Sequence, residues 1–87
     1  MILGEQLQEI GSISHFFGHI NVAVVNLTDT ISIGDKIVIK GPTTNVEQTV
    51  DSMEIDHVKV NRATAGQSIG MKVKDRVKEK DTVYKTG

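Results

Sequence analysis

The 87 residues hold enough chain for one domain and no cysteine, which excludes a disulfide-stapled fold and any thiolate metal site. Only Phe16, Phe17 and Tyr84 are aromatic, so the core has to be built from aliphatic side chains, largely the β-branched Val and Ile that suit strands. The formal net charge of −1 divides into −6 over residues 1–56 and +5 over residues 57–87, which fits a surface facing a polyanion as well as two charge sets interleaved in one barrel.

Residues 1–8 read as a lead-in. Met1-Ile2-Leu3-Gly4-Glu5 has no basic region and no long apolar run, so a secretory signal is not expected and a cytoplasmic location is. A first strand spans about Gln8 to Phe17, with Gly11, Ile13 and His15 on one face and Ser12 and Ser14 on the other. Gly11 inside it signals a bulge or a close backbone approach. Gly18 and His19 turn the chain. A second strand covers about Ile20 to Thr28. Ile20, Val22 and Val24 share one face and Ala23, Val25 and Leu27 the other, which implies cover on both sides. Residues 10–28 contain no Asp, Glu, Lys or Arg, but their Ser, His, Asn and Thr residues favour two strands and a turn over a membrane span.

Thr28, Asp29 and Thr30 end that strand. In the following Ile31–Gly41 stretch, Gly34 and Asp35 supply a turn, and Ile37 and Ile39 alternate with Lys36, Val38 and Lys40 in a third strand from Asp35 to Lys40, with one apolar face and one mainly polar face. Pro42 to Asn45 reads as a loop. The fourth strand runs from about Val46 to His57. Its apolar parity changes between Val50 and Met53, so a bulge is expected at Asp51–Ser52. Val58 to Gly66 reads as a loop, Gln67 to Asp75 as the fifth strand and Thr82 to Lys85 as the sixth. No segment carries a sustained helical period. The expected fold is all-β: residues 1–87 form a single small six-stranded antiparallel β-barrel, with its core at about residues 9–85.

Four runs carry a family resemblance. Ile33-Gly34-Asp35-Lys36-Ile37, Val50 to Ile55, Ala63-Thr64-Ala65-Gly66-Gln67-Ser68-Ile69-Gly70 and Asp81-Thr82-Val83-Tyr84 occur in the order of a translational GTPase second domain. The chain resembles domain II, the translation-protein barrel, of elongation factor Tu-like proteins, as a stand-alone domain. It has no phosphate loop ending in Gly-Lys-Ser/Thr, so no nucleotide triphosphate is expected. The resemblance implies a non-catalytic binding module for RNA or a translation-related ribonucleoprotein. In that family the second domain helps hold the aminoacylated end of transfer RNA. Glu54 matches a family glutamate, Gln67 stands where the family has a Glu that packs on the terminal base, and His57 stands where it has Arg. A related barrel closes some collagenase-like peptidases, so the alternative is a protein-interaction or accessory domain docking on such an enzyme. Exposed aromatics around Phe16 and Phe17 would favour that alternative.

Read without the resemblance, Glu54 is a solvated strand residue and Gln67 a turn residue. Lys72, Lys74 and Arg76 fall at even positions and would form an outward basic row, either tracking phosphates or guarding an edge. His15, His19 and His57 lack zinc-ligand spacing, and Ser12, Ser14 and His15 lack a nucleophile elbow. No metal, cofactor, membrane or catalytic role is expected.

Overall fold

A computed structural model describes residues 7–86. The lead-in therefore lies mostly outside the described residues. Ten strands follow one another: β1 Leu7–Phe17, β2 Val22–Leu27, β3 Ile31–Ser32, β4 Lys36–Gly41, β5 Thr44–Thr49, β6 Met53–Ile55, β7 Val58–Val60, β8 Arg62–Ala63, β9 Ser68–Lys72 and β10 Thr82–Thr86. Eight form one sheet in the order β5-β4-β10-β1-β2-β9-β6-β7, and β3 pairs with β8 in a second. Every described pairing is antiparallel.

The all-β expectation holds, but the closed six-stranded barrel does not. The large sheet ends in β5 on one side and β7 on the other, and these two strands do not pair. It still encloses one core, because Ile10, Val25, Ile37, Val46, Met53, Ile69 and Val83 come from strands spread across the sheet and pack in one cluster. Part of the gap is bridged by a side chain. Gln48 of β5 donates its amide Nε2 to the Lys72 carbonyl at 2.9 Å and accepts the Lys74 N–H on Oε1 at 2.9 Å.

Two bulges decide how β1 is used. The register against β10 shifts between Glu9 and Gly11, and the register against β2 shifts between Ile13 and His15. Each shift reverses the side-chain parity, so Ile10 and Ile13 are both buried and Phe16 packs against the same core. Gly11 sits between the shifts. A Cβ there would lie 2.6 Å from the Asn26 carbonyl oxygen, which explains the glycine by close approach.

The single fourth strand is two strands. At Val50 the backbone leaves the sheet: its N–H donates to Asp35 O at 2.9 Å and its carbonyl accepts the Gly34 N–H at 2.9 Å. The parity change marks a full break, not a bulge, between β5 and β6. The expected Val58–Gly66 loop contains β7 and β8, and the Pro42–Asn45 loop shrinks to a turn at Pro42–Thr43. The Gly34 turn is confirmed, with φ of 93°. The Asp35 carboxylate reaches back three residues to accept the Ser32 N–H at 2.9 Å.

Candidate functional site

Strand β2 is apolar on both faces, but only one is fully covered. Ala23, Val25 and Leu27 point into the core, whereas Val22 and Val24 are half-buried on the outer surface. The register places Val24 opposite Gly70 of β9, and Gly70 opposite Glu54 of β6. These three positions make a cross-strand row on the outside, since the flanking Ile69 and Met71 are buried inside.

Two loops raise walls beside this row. The β1–β2 turn contributes Phe17 and Ile20, which remain 39% and 48% exposed. The Phe17 ring is braced by His15, edge to face, with centroids 4.4 Å apart, and His15 Nδ1 lies 3.3 Å from Glu79 Oε2. The opposite wall is the β6–β7 hairpin tip, Asp56 and His57, both in the left-handed region with φ of 51° and 66°. A two-residue hairpin turn of this kind needs positive φ at both central positions. The result is a groove of about 650 Å³ with an apolar floor and two carboxylates, Glu54 and Asp56, along one side. Lys59 stands directly across from Glu54 on β7, yet no ion pair joins them among the described residues.

The six residues singled out in the sequence do not form one site. Glu54 and His57 both line the groove. Gln67 is engaged by its own turn and by β2: Oε1 accepts the Thr64 N–H at 2.8 Å within the turn, and its carbonyl accepts the Leu27 N–H at 2.9 Å in register with the β2–β9 ladder. Lys72 is exposed at the end of β9, opposite Val22. Lys74 and Arg76 do not continue a strand row with it. The Val73 N–H still bonds Asn21 O at 2.9 Å in register with β2, but Asn21 has a φ of 55° and the Lys74 N–H goes to the Gln48 side chain, so the ladder ends there. Arg76 then borders a separate concavity with Phe16, Val77 and Glu79. Residues missed in the sequence are Ile20, Val22, Val24 and Gly70. Their signal was the second apolar face of β2, read as covered, and a glycine in the middle of β9.

Ser14 and His15 do not cooperate as nucleophile and base. The Ser14 hydroxyl donates to the Val24 carbonyl at 3.3 Å, while His15 faces Glu79 and Phe17. Among the described residues no group of His, Cys, Asp and Glu is arranged to hold a metal ion, and no helix is long and apolar enough to cross a membrane.

No family model matches the chain. Individual relatives do. The chain is 42% identical over 77 residues to an uncharacterized protease of Methanocaldococcus jannaschii, covering 87% of this chain and 19% of that protein. It is 36% identical over 78 residues to a collagenase of Porphyromonas gingivalis, covering 87% of this chain and 22% of that protein. The chain thus spans about a fifth of the length of the curated relatives it matches. In fold it matches the crystal structure of the C-terminal domain of a Geobacillus thermoleovorans protein described as a U32 peptidase. The TM-score is 0.86 at 18% identity, with 92% of this chain and 93% of that one covered. The selenomethionine variant of the same domain matches with a TM-score of 0.83.

These relatives overturn the resemblance to domain II of elongation factor Tu, and with it the translation-factor and RNA-binding readings. The physical reason agrees. The runs that carried the resemblance lie largely at turns and strand starts of a small β-domain, where the Gly34 turn and the Thr64–Gln67 turn have local structural causes. The basic row that would have tracked phosphates is broken after Lys72.

Proposed function

We propose that this chain is a non-catalytic accessory domain of a collagenase-like peptidase, a module that docks on polypeptide while chemistry is done elsewhere. The observation that carries the reading is the match itself: most of this chain aligns with a minor part of proteins named protease and collagenase. The fold likeness to a separately crystallised C-terminal domain supports a self-contained module. Of the residues first proposed as contacts, Glu54 and His57 border the exposed apolar groove. Gln67, Lys72, Lys74 and Arg76 remain turn and surface positions.

The test is a segment exchange in the Porphyromonas collagenase. Deleting its matching segment is expected to slow cleavage of protein substrates about tenfold and of short peptides much less, since remote binding energy is lost only for large substrates. Inserting this chain in its place is expected to restore much of that rate, and the 87-residue chain alone should hydrolyse neither substrate. Hydrolysis by the isolated chain, or no rescue by a folded hybrid, would reject the reading.

A further inference from the structure

The groove is open because position 70 carries no side chain. Gly70 does not have a positive φ, and a Cβ built on it meets only Val22 Cγ1, at 3.6 Å, an ordinary contact. A glycine within a strand is unfavourable by entropy and lost packing. Neither backbone conformation nor internal packing calls for it here, whereas a long side chain would fill the space between Val24 and Glu54.

We infer that this groove docks an extended polypeptide segment in which an aliphatic side chain is followed by Lys or Arg. The aliphatic group lies over Gly70 against Val22 and Val24, and the cation meets Glu54 and Asp56. Charge complementarity selects this occupant. Among the described residues the two acidic groups lining the groove are in no ion pair, even though Lys59 stands directly across from Glu54 on β7. A cation supplied between apolar walls gains from both carboxylates in a partly desolvated setting, where an anion would be repelled. Exposed Phe17 and Ile20 supply the apolar contact area that a docking surface requires. The inference rests on the accessory-domain reading for its partner class and names the surface and the side chains it takes.

The experiment titrates the isotope-labelled 87-residue chain with acetyl-Gly-Leu-Lys-Gly-amide and follows backbone amide shifts. Parallel titrations replace the peptide's Lys by Glu, or its Leu by Gly. Shifts are expected at Val24, Glu54 and Gly70, with about fivefold weaker binding for each altered peptide. Gly70→Leu should abolish binding while melting cooperatively. Should that variant fail to fold, Gly70→Ala, whose methyl the site accommodates, should still weaken it. Glu54→Gln should weaken the Lys peptide and leave the Glu peptide unchanged or tighter. Equal binding of the Lys and Glu peptides, shifts away from the groove, or full binding by folded Gly70→Leu would overturn the inference. So would groove shifts that follow protein concentration without peptide, which would make a second copy the occupant. The readout is binding to this chain alone, so its failure leaves a successful segment exchange standing, and a failed exchange leaves peptide binding standing.

Discussion

Gln48 grips the backbone at Lys74. Its side-chain Oε1 accepts the Lys74 N–H and its Nε2 donates to the carbonyl of Lys72, both at 2.9 Å. One amide thus does for the backbone of Lys72 and Lys74 what a neighbouring strand would do with two ladder bonds, and it ties β5 to the end of β9. Gln48→Ala removes both bonds and is expected to cost about 1–3 kcal/mol, at roughly 1 kcal/mol per bond with a further penalty where the freed groups stay desolvated. Denaturant unfolding measures the loss. Hydrogen exchange at the Lys74 amide should accelerate beyond what the global destabilisation explains.

Much of this fold is readable as residues whose side chains must be inside, and less of it as strands. The parity change between Val50 and Met53 marks a real interruption, and both side chains are buried. The same signal in β1 passes unnoticed. Ile10, Ile13 and Phe16 recur every third residue, which period-2 reading divides between faces, whereas two bulges bring all three to the core. The two-residue β8 was illegible because its ladder is made with the distant β3, and β7 because its hairpin turn with β6 is made by Asp56 and His57 and not by the Asn-Gly or Asp-Gly pair that announces such a turn. At the candidate site, Glu54 and His57 were found through a resemblance that the relatives contradict. The groove itself depends on Phe17, Val24 and Gly70 meeting across β1, β2 and β9, a juxtaposition set by register and not by sequence neighbours.

Gly41 and Asp81 form a second fixed contact. A methyl on Gly41 would overlap the Asp81 carboxylate, which is buried and accepts the Lys78 N–H at 2.8 Å. Either the carboxylate must leave its turn or the end of β4 must shift. Gly41→Ala is expected to destabilise by about 1–3 kcal/mol, the usual range for overpacking. Thermal melts of Gly41→Ala and Asp81→Ala should both fall. The double variant should fall by less than the sum, because removing the carboxylate makes room for the methyl.

Two strand glycines should respond with opposite signs. At Gly11 an added Cβ would lie 2.6 Å from the backbone oxygen of Asn26, which cannot swing aside, so Gly11→Ala is expected to cost about 1–3 kcal/mol. At Gly70 the nearest atom is 3.6 Å away, and Gly70→Ala should stabilise by about 0.4–1 kcal/mol through a less flexible unfolded chain. Paired denaturation curves decide it. Equal destabilisation at both sites would mean that Gly70 is held by packing and not left bare for an occupant.

The β6–β7 hairpin joins strain to the groove. Asp56 and His57 hold φ of 51° and 66°, the left-handed geometry that a tight two-residue link from Ile55 to Val58 requires. Asn-Gly is the pair best suited to that turn, and relieving one non-glycine residue from this region gains about 1 kcal/mol. His57→Gly is therefore expected to raise the melting temperature. It also removes a ring from the groove wall and should weaken binding of the Leu-Lys peptide. Melting and peptide titration of the same variant separate the two roles. A gain in stability with reduced binding would show that the turn carries a strained residue for the sake of the wall, as strained positions at binding sites do. A gain in stability with unchanged binding would assign His57 to the turn alone and move the wall's contribution to Asp56.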